Sequence, residues 1–531
     1  MRIRLRIAAA LTSAGDRLAG LIARREALVL ILTLVFVAAA LILRSTRPLW
    51  FDELFTLQIS SLPGFAEMVR DIPSDGNPPL MHLLVRACLG MVRTQEVAVR
   101  LPSVAAFSGA LFCVYLFLRR RVGALPALFG AFMFASSRMA IYGYEGRPYA
   151  LVLGFTGLAM VSWQAAAEES FDRGNRSRAI ALAGVTLGVG GTIASHHLGI
   201  FQVCIPLFFG EAVRLVKRRR ADIPIWISIA AGLSVVLVTQ YFARATNRVM
   251  LDYVRNDPQF WARPTLGSLL SYGEMAHKWM IAAMAGLIWL TYPMAGEGIG
   301  ASRDTGWRET PVHEIAAVVV LALMVPFMVG ITWVATGYYM PRYAIGSAMG
   351  IAILAGLAVP ALTRGRQQAA VVAALGMMAI GAGEIARFGV EQFPRYWGIQ
   401  PAAIDAARPE IEDNGGTEPI VVASALNYLP IWWYASPHLR TRLHYLADIP
   451  YAVQQPDFLP ELSLVANQPY LAAKVDDYRT FVSAHERFLV FSVRVPTLEW
   501  TMKRLIADHR SLRLVHRSGA DDLFEAEPAD R

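Results

Sequence analysis

The chain has 531 residues, 55% of them hydrophobic and only 17% charged, with a mean hydropathy of +0.41. That balance excludes an ordinary soluble enzyme and points to a polytopic helical membrane protein. The formal charge of +9 is not a nucleic-acid footprint, because Lys and Arg cluster between the apolar runs, where they report membrane topology. Cys88, Cys113 and Cys204 are scattered and offer neither a disulfide framework nor zinc-ligand spacing.

A basic N-terminus (Arg2, Arg4, Arg6, Arg17, Arg24, Arg25) leads into the apolar run Ala27–Leu43. That run is longer than a signal-peptide core and lacks a small-residue cleavage site after it, so it reads as an uncleaved first span. With the N-terminus inside, Arg44–Val97 is an external loop. In it, SLPGFAEMVRDI predicts a surface-lying amphipathic helix. NPPLMHLLVRACLGMV predicts a second interfacial helix opened by Pro78 and Pro79, with a short span as the alternative. Leu101–Leu118 returns to Arg119, Arg120 and Arg121. Ala124–Met139 exits to YGYEGRPY, and Pro148–Ala167 comes back to Arg173, Arg176 and Arg178.

Ala179–Ser195 exits to His196 and His197, and Leu198–Ala212 returns to Lys217, Arg218, Arg219 and Arg220. Ile223–Tyr241 opens an external loop reaching Lys278. Trp279–Met294 returns to Arg303 and Arg308, Ile315–Thr336 exits to GYYMPRY, and Ala344–Leu362 returns to Arg364 and Arg366. Gln368–Ala386 exits last. The expectation is about eleven transmembrane helices in a cytoplasmic (inner) membrane, N-terminus inside and C-terminus outside, since each basic cluster then falls on the inner side.

From about Phe388 the composition changes. EPIVVAS, RLHYLAD and FLVFSVRV read as strands, and ALNYLPIWWYA, DDYRTFVSAH and TLEWTMKRLIADH as helices. SLRLVHRSGADDLFEAE reads as a hairpin around Ser518–Gly519. The expected organisation is a membrane domain over 1–387 and an extracytoplasmic α/β domain over 388–531. That domain shows no phosphate-binding glycine loop and no catalytic Ser or Cys arrangement. Trp432 and Trp433 read as core or membrane-surface aromatics.

A transporter holds its substrate near the bilayer midplane, on ionisable groups or Gly/Pro breaks. Here only Pro326, in the ninth span, suits that use. The polar residues gather at external helix ends: Asp52 and Glu53 in LWFDELFTL, Asn77, His82, Arg100, Arg138, Glu145, Arg147, His196, His197 and Arg342. Two acids among Trp50, Phe51 and Phe55 are costly to desolvate, and arginine binds phosphate bidentately with its charge intact. The set suits a lipid-phosphate substrate. Plainer roles stay open: Glu53 as a helix cap or partner of an arginine, Glu145 and Arg147 as an ion pair in a turn, His196 and His197 as backbone-bonded interfacial residues.

WFDELFTL after the first span, NPPLMHLL in the first external loop, EGRPYAL between the third and fourth spans and MPRYAIG before the tenth form an ordered set, with VRLPS before the second. In these motifs the chain resembles the polytopic GT-C glycosyltransferases, in the branch with protein O-mannosyltransferases and bacterial lipid A aminoarabinose transferases. The likeness covers roughly the first 390 residues. It implies transfer of a sugar from a polyprenyl-phosphate carrier to a lipid, glycan or protein acceptor on the outer face, with inversion.

By the same resemblance Asp52 is the general base and Glu53 its companion acid, while Arg147 and Arg342 hold the donor phosphate. Glu145, Arg100, Asn77, His82, Tyr149 and Tyr343 stand in the same motifs as substrate-binding candidates. Relatives commonly have His where Asn77 stands, a departure that weakens a metal site in that loop. A divalent ion, magnesium or manganese, is a cofactor option that the sequence does not require, with His196 and His197 as candidate ligands. A flippase of lipid-linked sugars and a non-catalytic accessory subunit are the rival functions.

Overall fold

The structure, a computed structural model, describes residues 20–168, 176–242, 260–276, 310–363, 367–390 and 416–528, apart from a few short interruptions. The expected span Trp279–Met294, the basic residues before Arg17, and Arg173, Arg303, Arg308, Arg364 and Arg366 lie outside the described residues. The chain forms two compact units. One contains 1–46, 76–257 and 262–391, and the other 47–75, 258–261 and 392–531.

In chain order the first helices are α1 (Glu26–Arg44), α2 (Phe51–Ser61), α3 (Phe65–Asp75), α4 (Leu80–Leu89), α5 (Gln95–Val122) and α6 (Ala124–Ala135). There follow α7 (Tyr149–Glu168), α8 (Arg176–Ser195), α9 (Gly199–Arg218), α10 (Ile223–Leu233), α11 (Val312–Ala322), α12 (Met324–Ala335), α13 (Gly346–Leu362) and α14 (Gln367–Val390). The fold is a polytopic helical one. Among the described residues six helices are long and apolar enough to cross a membrane, or up to eight if each of two bent pairs is one span. The amphipathic helix expected in the first external loop is α3. Helix α4, at 10 residues, is about 15 Å long against a hydrocarbon thickness of about 30 Å, too short to cross.

Two runs expected as single spans are broken. Ala124–Ala135 turns by 75° into the 3-10 turn Arg138–Tyr144, and α11 meets α12 at 57°. The second break falls at Leu323, three residues before Pro326, so that Pro326 sits in the first turn of α12, where a missing N–H costs little. The backbone groups freed there are taken up by side chains. Val325 N–H donates to Ser347 Oγ at 3.1 Å, and Tyr272 Oη–H donates to Ala322 O at 3.0 Å. A break inside a bilayer survives only with such replacements. Close packing supplies the rest: a Cβ on Gly350 would run into the Ala322 backbone, and one on Gly188 would meet Ala159 N at 2.5 Å.

Charged residues close one end of the helical unit. The Arg178 guanidinium holds both Asp222 carboxylate oxygens at 2.7 Å, and Arg214 joins Asp222 at 2.9 Å and Glu211 at 3.2 Å. Trp163 Nε1–H donates to Glu211 at 2.7 Å. Arg121 grips Glu314 with two nitrogens while Gln164 Nε2–H donates to the same carboxylate at 2.9 Å. Breaking such a buried pair by removing one partner is costly, about 3–5 kcal/mol, because it strands the other charge. Arg218 donates to Ala167 O at 3.3 Å beside Arg214, so Arg121, Arg178 and Arg218, one from each of three basic clusters read from the sequence, stand at this end of the unit.

In the other unit six strands pair in the order β3-β2-β1-β4-β6-β5. They are β1 (Ile420–Val422), β2 (Leu443–Ala447), β3 (Lys474–Asp477), β4 (Phe488–Ser492), β5 (Arg510–Ser518) and β6 (Asp521–Pro528). The first four in that order run parallel, and β6 and β5 close the sheet antiparallel. Helices α15 (Ala425–Tyr434), α16 (Pro437–Arg442), α17 (Leu459–Asn467), α18 (Tyr478–Ala484) and α19 (Trp500–Ala507) connect or cover the strands. Val421, Leu446, Phe488, Val490, Phe481 and Leu505 form the buried core. α2 packs on α15 and α3 on α17, so the segment carrying the acidic pair folds as part of this α/β unit.

Candidate active site

Asp52 and Glu53 are the second and third residues of α2, in the first turn, where unsatisfied N–H groups and the helix dipole favour negative charge. The two acids are not equivalent. Glu53 is fully buried, and its Oε2 accepts the Trp50 N–H at 3.2 Å, half of a capping box. Asp52 is half-buried. Its backbone carbonyl accepts Thr56 Oγ1–H at 3.1 Å, which leaves the carboxylate outside that bond. Glu53 therefore has the helix-capping work that the sequence left open for it, and Asp52 is the more accessible acid.

The second group of candidates lies in the helical unit. Tyr149 opens α7 directly after EGRP, and Ser103 of VRLPS donates to the Arg147 carbonyl at 3.2 Å, tying two of the sequence motifs together. The Arg342 guanidinium carbon stands 5.3 Å from the Tyr149 ring centroid, in cation–π range. The His196 ring lies between Tyr149 and Tyr343, at 5.4 and 5.7 Å. Tyr142 abuts Tyr149 at 4.9 Å, and Tyr338 abuts Tyr343 at 5.9 Å. Burial, then Tyr338, push the Tyr343 phenol well above its ordinary value, with Arg342 opposing, so it stays protonated at neutral pH. Arg342, Tyr149, Tyr343 and His196 are thus brought together, with Arg147 two residues from Tyr149. Glu145 and Arg147 are buried beside them in sequence.

The remaining candidates are placed differently. Arg100 Nη1–H donates to the Ser45 carbonyl at 2.9 Å, satisfying the end of α1. Asn77 is buried just ahead of α4 and His82 is buried within it. Burial pushes the His197 imidazole down to about 4, with the Gly76 backbone opposing, so the ring is neutral at physiological pH. His196 Nδ1 accepts the Leu198 N–H at 3.1 Å. Among the described residues no three His, Cys, Asp or Glu side chains converge to hold a metal ion.

Sequence reasoning missed Gln202. From within α9 its Nε2–H donates to Tyr343 O at 2.5 Å while its Oε1 accepts the Gly346 N–H at 2.8 Å. One carboxamide thereby grips both sides of the turn that carries Arg342. A Cβ at position 346 would come within 2.6 Å of that Oε1, which accounts for the glycine of MPRYAIG. The available signal was a lone amide in an apolar run, where a buried polar group needs partners.

No protein-family model and no curated protein matches the chain. Solved structures do. The apo crystal structure of ArnT from Cupriavidus metallidurans superimposes with a TM-score of 0.57 at 13% identity, over 94% of this chain and 98% of that one. The chain has the ArnT fold. The ArnT crystal structure with bound undecaprenyl phosphate gives 0.55 at 15% identity, over 93% and 97%. The ArnT fold runs through both units described above, and the GT-C-like class expected from the motifs is the class observed.

Proposed function

We propose that the protein is an inverting membrane glycosyltransferase that uses a polyprenyl-phosphate-linked sugar and an acceptor from the cell envelope. One observation carries the reading: the ArnT fold extends over nearly the whole chain, and one ArnT structure holds undecaprenyl phosphate. In this reading the acceptor hydroxyl gives its proton to the Asp52 carboxylate as its oxygen attacks the anomeric carbon. The bond from that carbon to the phosphate oxygen breaks, and its electron pair leaves with the phosphate. Arg342 and Arg147 hold the charge that develops, and no strong general acid is needed, because a phosphate is already a good leaving group. The reaction class is tested by mass spectrometry of envelope lipids and glycans from a strain lacking the protein. A species lighter by one sugar residue than its counterpart in the parent is expected, and identical profiles would oppose the reading.

The chemistry belongs on the outer face, with the N-terminus in the cytoplasm and the 388–531 domain outside. The meeting of Arg121, Arg178, Arg214 and Arg218 at one end of the helical unit supports this, since such clusters stay cytoplasmic. A phosphatase–galactosidase reporter after Arg531 should be active only outside, and one after Arg220 only inside. A cytoplasmic signal from the Arg531 fusion would mean an odd error in the span count.

A further inference from the structure

The α/β domain carries no catalytic motif of its own, yet the acidic segment folds into its unit. Tyr434, the last residue of α15, accepts the Leu49 N–H on its phenol oxygen at 2.7 Å, across 385 residues of chain. The next N–H, that of Trp50, goes to Glu53. The two residues leading into α2 are therefore held from both sides, one by the α/β domain and one by the helix itself. Asp52 follows directly.

The support behind Tyr434 is stiff. Helix α15 is fixed to the sheet at one place by Tyr428, whose Oη–H donates to Lys474 O at 2.8 Å. Its end is fixed by Arg440, which donates to the carbonyls of Trp432 at 3.1 Å, Trp433 at 2.6 Å and Ala435 at 3.3 Å. The same guanidinium stacks 5.0 Å from the Trp432 ring centroid. Arginine thereby takes up the carbonyls that a helix C-terminus leaves unsatisfied. The path runs from sheet to α15, to the Tyr434 hydroxyl, to the Leu49 amide and so to the first turn of α2.

We infer that Tyr434 is a positioning residue for Asp52, and that the α/β domain serves sugar transfer by holding the acidic turn in place. The inference rests on the general-base reading of Asp52. A reacting group displaced by about 1 Å loses about a hundredfold in rate, so a hydrogen bond that sets its position acts on turnover rather than on donor binding.

The test uses full-length protein in lipid nanodiscs and two measurements. Hydrogen exchange of the wild type should show the Leu49 amide protected like an amide within α2, and Tyr434→Phe should remove that protection while exchange over β1 and β4 stays unchanged. With polyprenyl-phosphate sugars extracted from the host membrane as donor, Tyr434→Phe should lower the single-turnover rate about 10- to 100-fold, with the donor KM within about twofold. In the Asp52→Asn background the same change should cost almost nothing, because it acts through Asp52. An unprotected Leu49 amide in the wild type, a full-rate Tyr434→Phe, or an equal loss in both backgrounds would overturn the inference. A wild type that releases no polyprenyl phosphate would instead sink the transferase reading, and the exchange measurement would still decide whether Tyr434 holds the turn.

Discussion

Asp52→Asn is expected to lower single-turnover sugar transfer by about a hundred- to ten-thousand-fold while leaving donor binding nearly intact. An acceptor hydroxyl is a weak acid at neutral pH, so its proton must be taken as the new bond forms, and an amide cannot take it. The substitution is close to isosteric, and Asp52 is half-buried in the first turn of α2, so folding should survive it. Glu53→Gln makes the contrast. Glutamine keeps an oxygen for the Trp50 N–H and so keeps the cap, and a loss of only a few-fold is expected, the order of one neutral hydrogen bond. Transfer rates measured at matched amounts of folded protein check both. An unimpaired Asp52→Asn would remove the acid from the reaction.

Arg342→Lys is expected to cost about ten- to a hundredfold in kcat/KM for the donor, and Arg342→Ala at least as much. Hydrogen bonds to charged groups are worth about 1.5–3 kcal/mol, one to two decades in rate. Lysine keeps the charge but loses the planar fork that matches phosphate and the stacking on Tyr149. A structural arginine would instead show itself in reduced folded yield, with normal kinetics in the fraction that folds. Steady-state kinetics with varied donor separates the two, and wild-type values for both variants would exclude Arg342 from the site.

Much of this architecture can be read in the sequence because it is local. The apolar runs ending on Arg119–Arg121 and Lys217–Arg220 mark their own ends, and the alternation of EPIVVAS, ALNYLPIWWYA and RLHYLAD announces parallel strands joined by helices. The acidic pair stands out because carboxylates among aromatic residues are costly. What stayed hidden is non-local. Pro326 announces the break in its span, because it has no N–H for the Ala322 carbonyl four residues back, but nothing local shows that Tyr272 and Ser347 take up the groups freed there. Strand β3, KVDD, is too short and polar to show a period and exists through its register with β2. Gln202 gripping the Arg342 turn, and Leu49 bonded to Tyr434, are pairings between distant segments that no window along the chain contains.

The central claim is that the sugar leaves its lipid carrier on this protein, and one measurement addresses it. Purified protein is reconstituted in vesicles with polyprenyl-phosphate sugars from the host membrane and an envelope fraction as acceptor, and free polyprenyl phosphate and the leaflet of the remaining donor are followed together. The account predicts release of polyprenyl phosphate in step with transfer, abolished by Asp52→Asn, with no protein-dependent movement of intact donor between leaflets. Intact donor crossing the bilayer with no polyprenyl phosphate released would contradict it and establish a flippase.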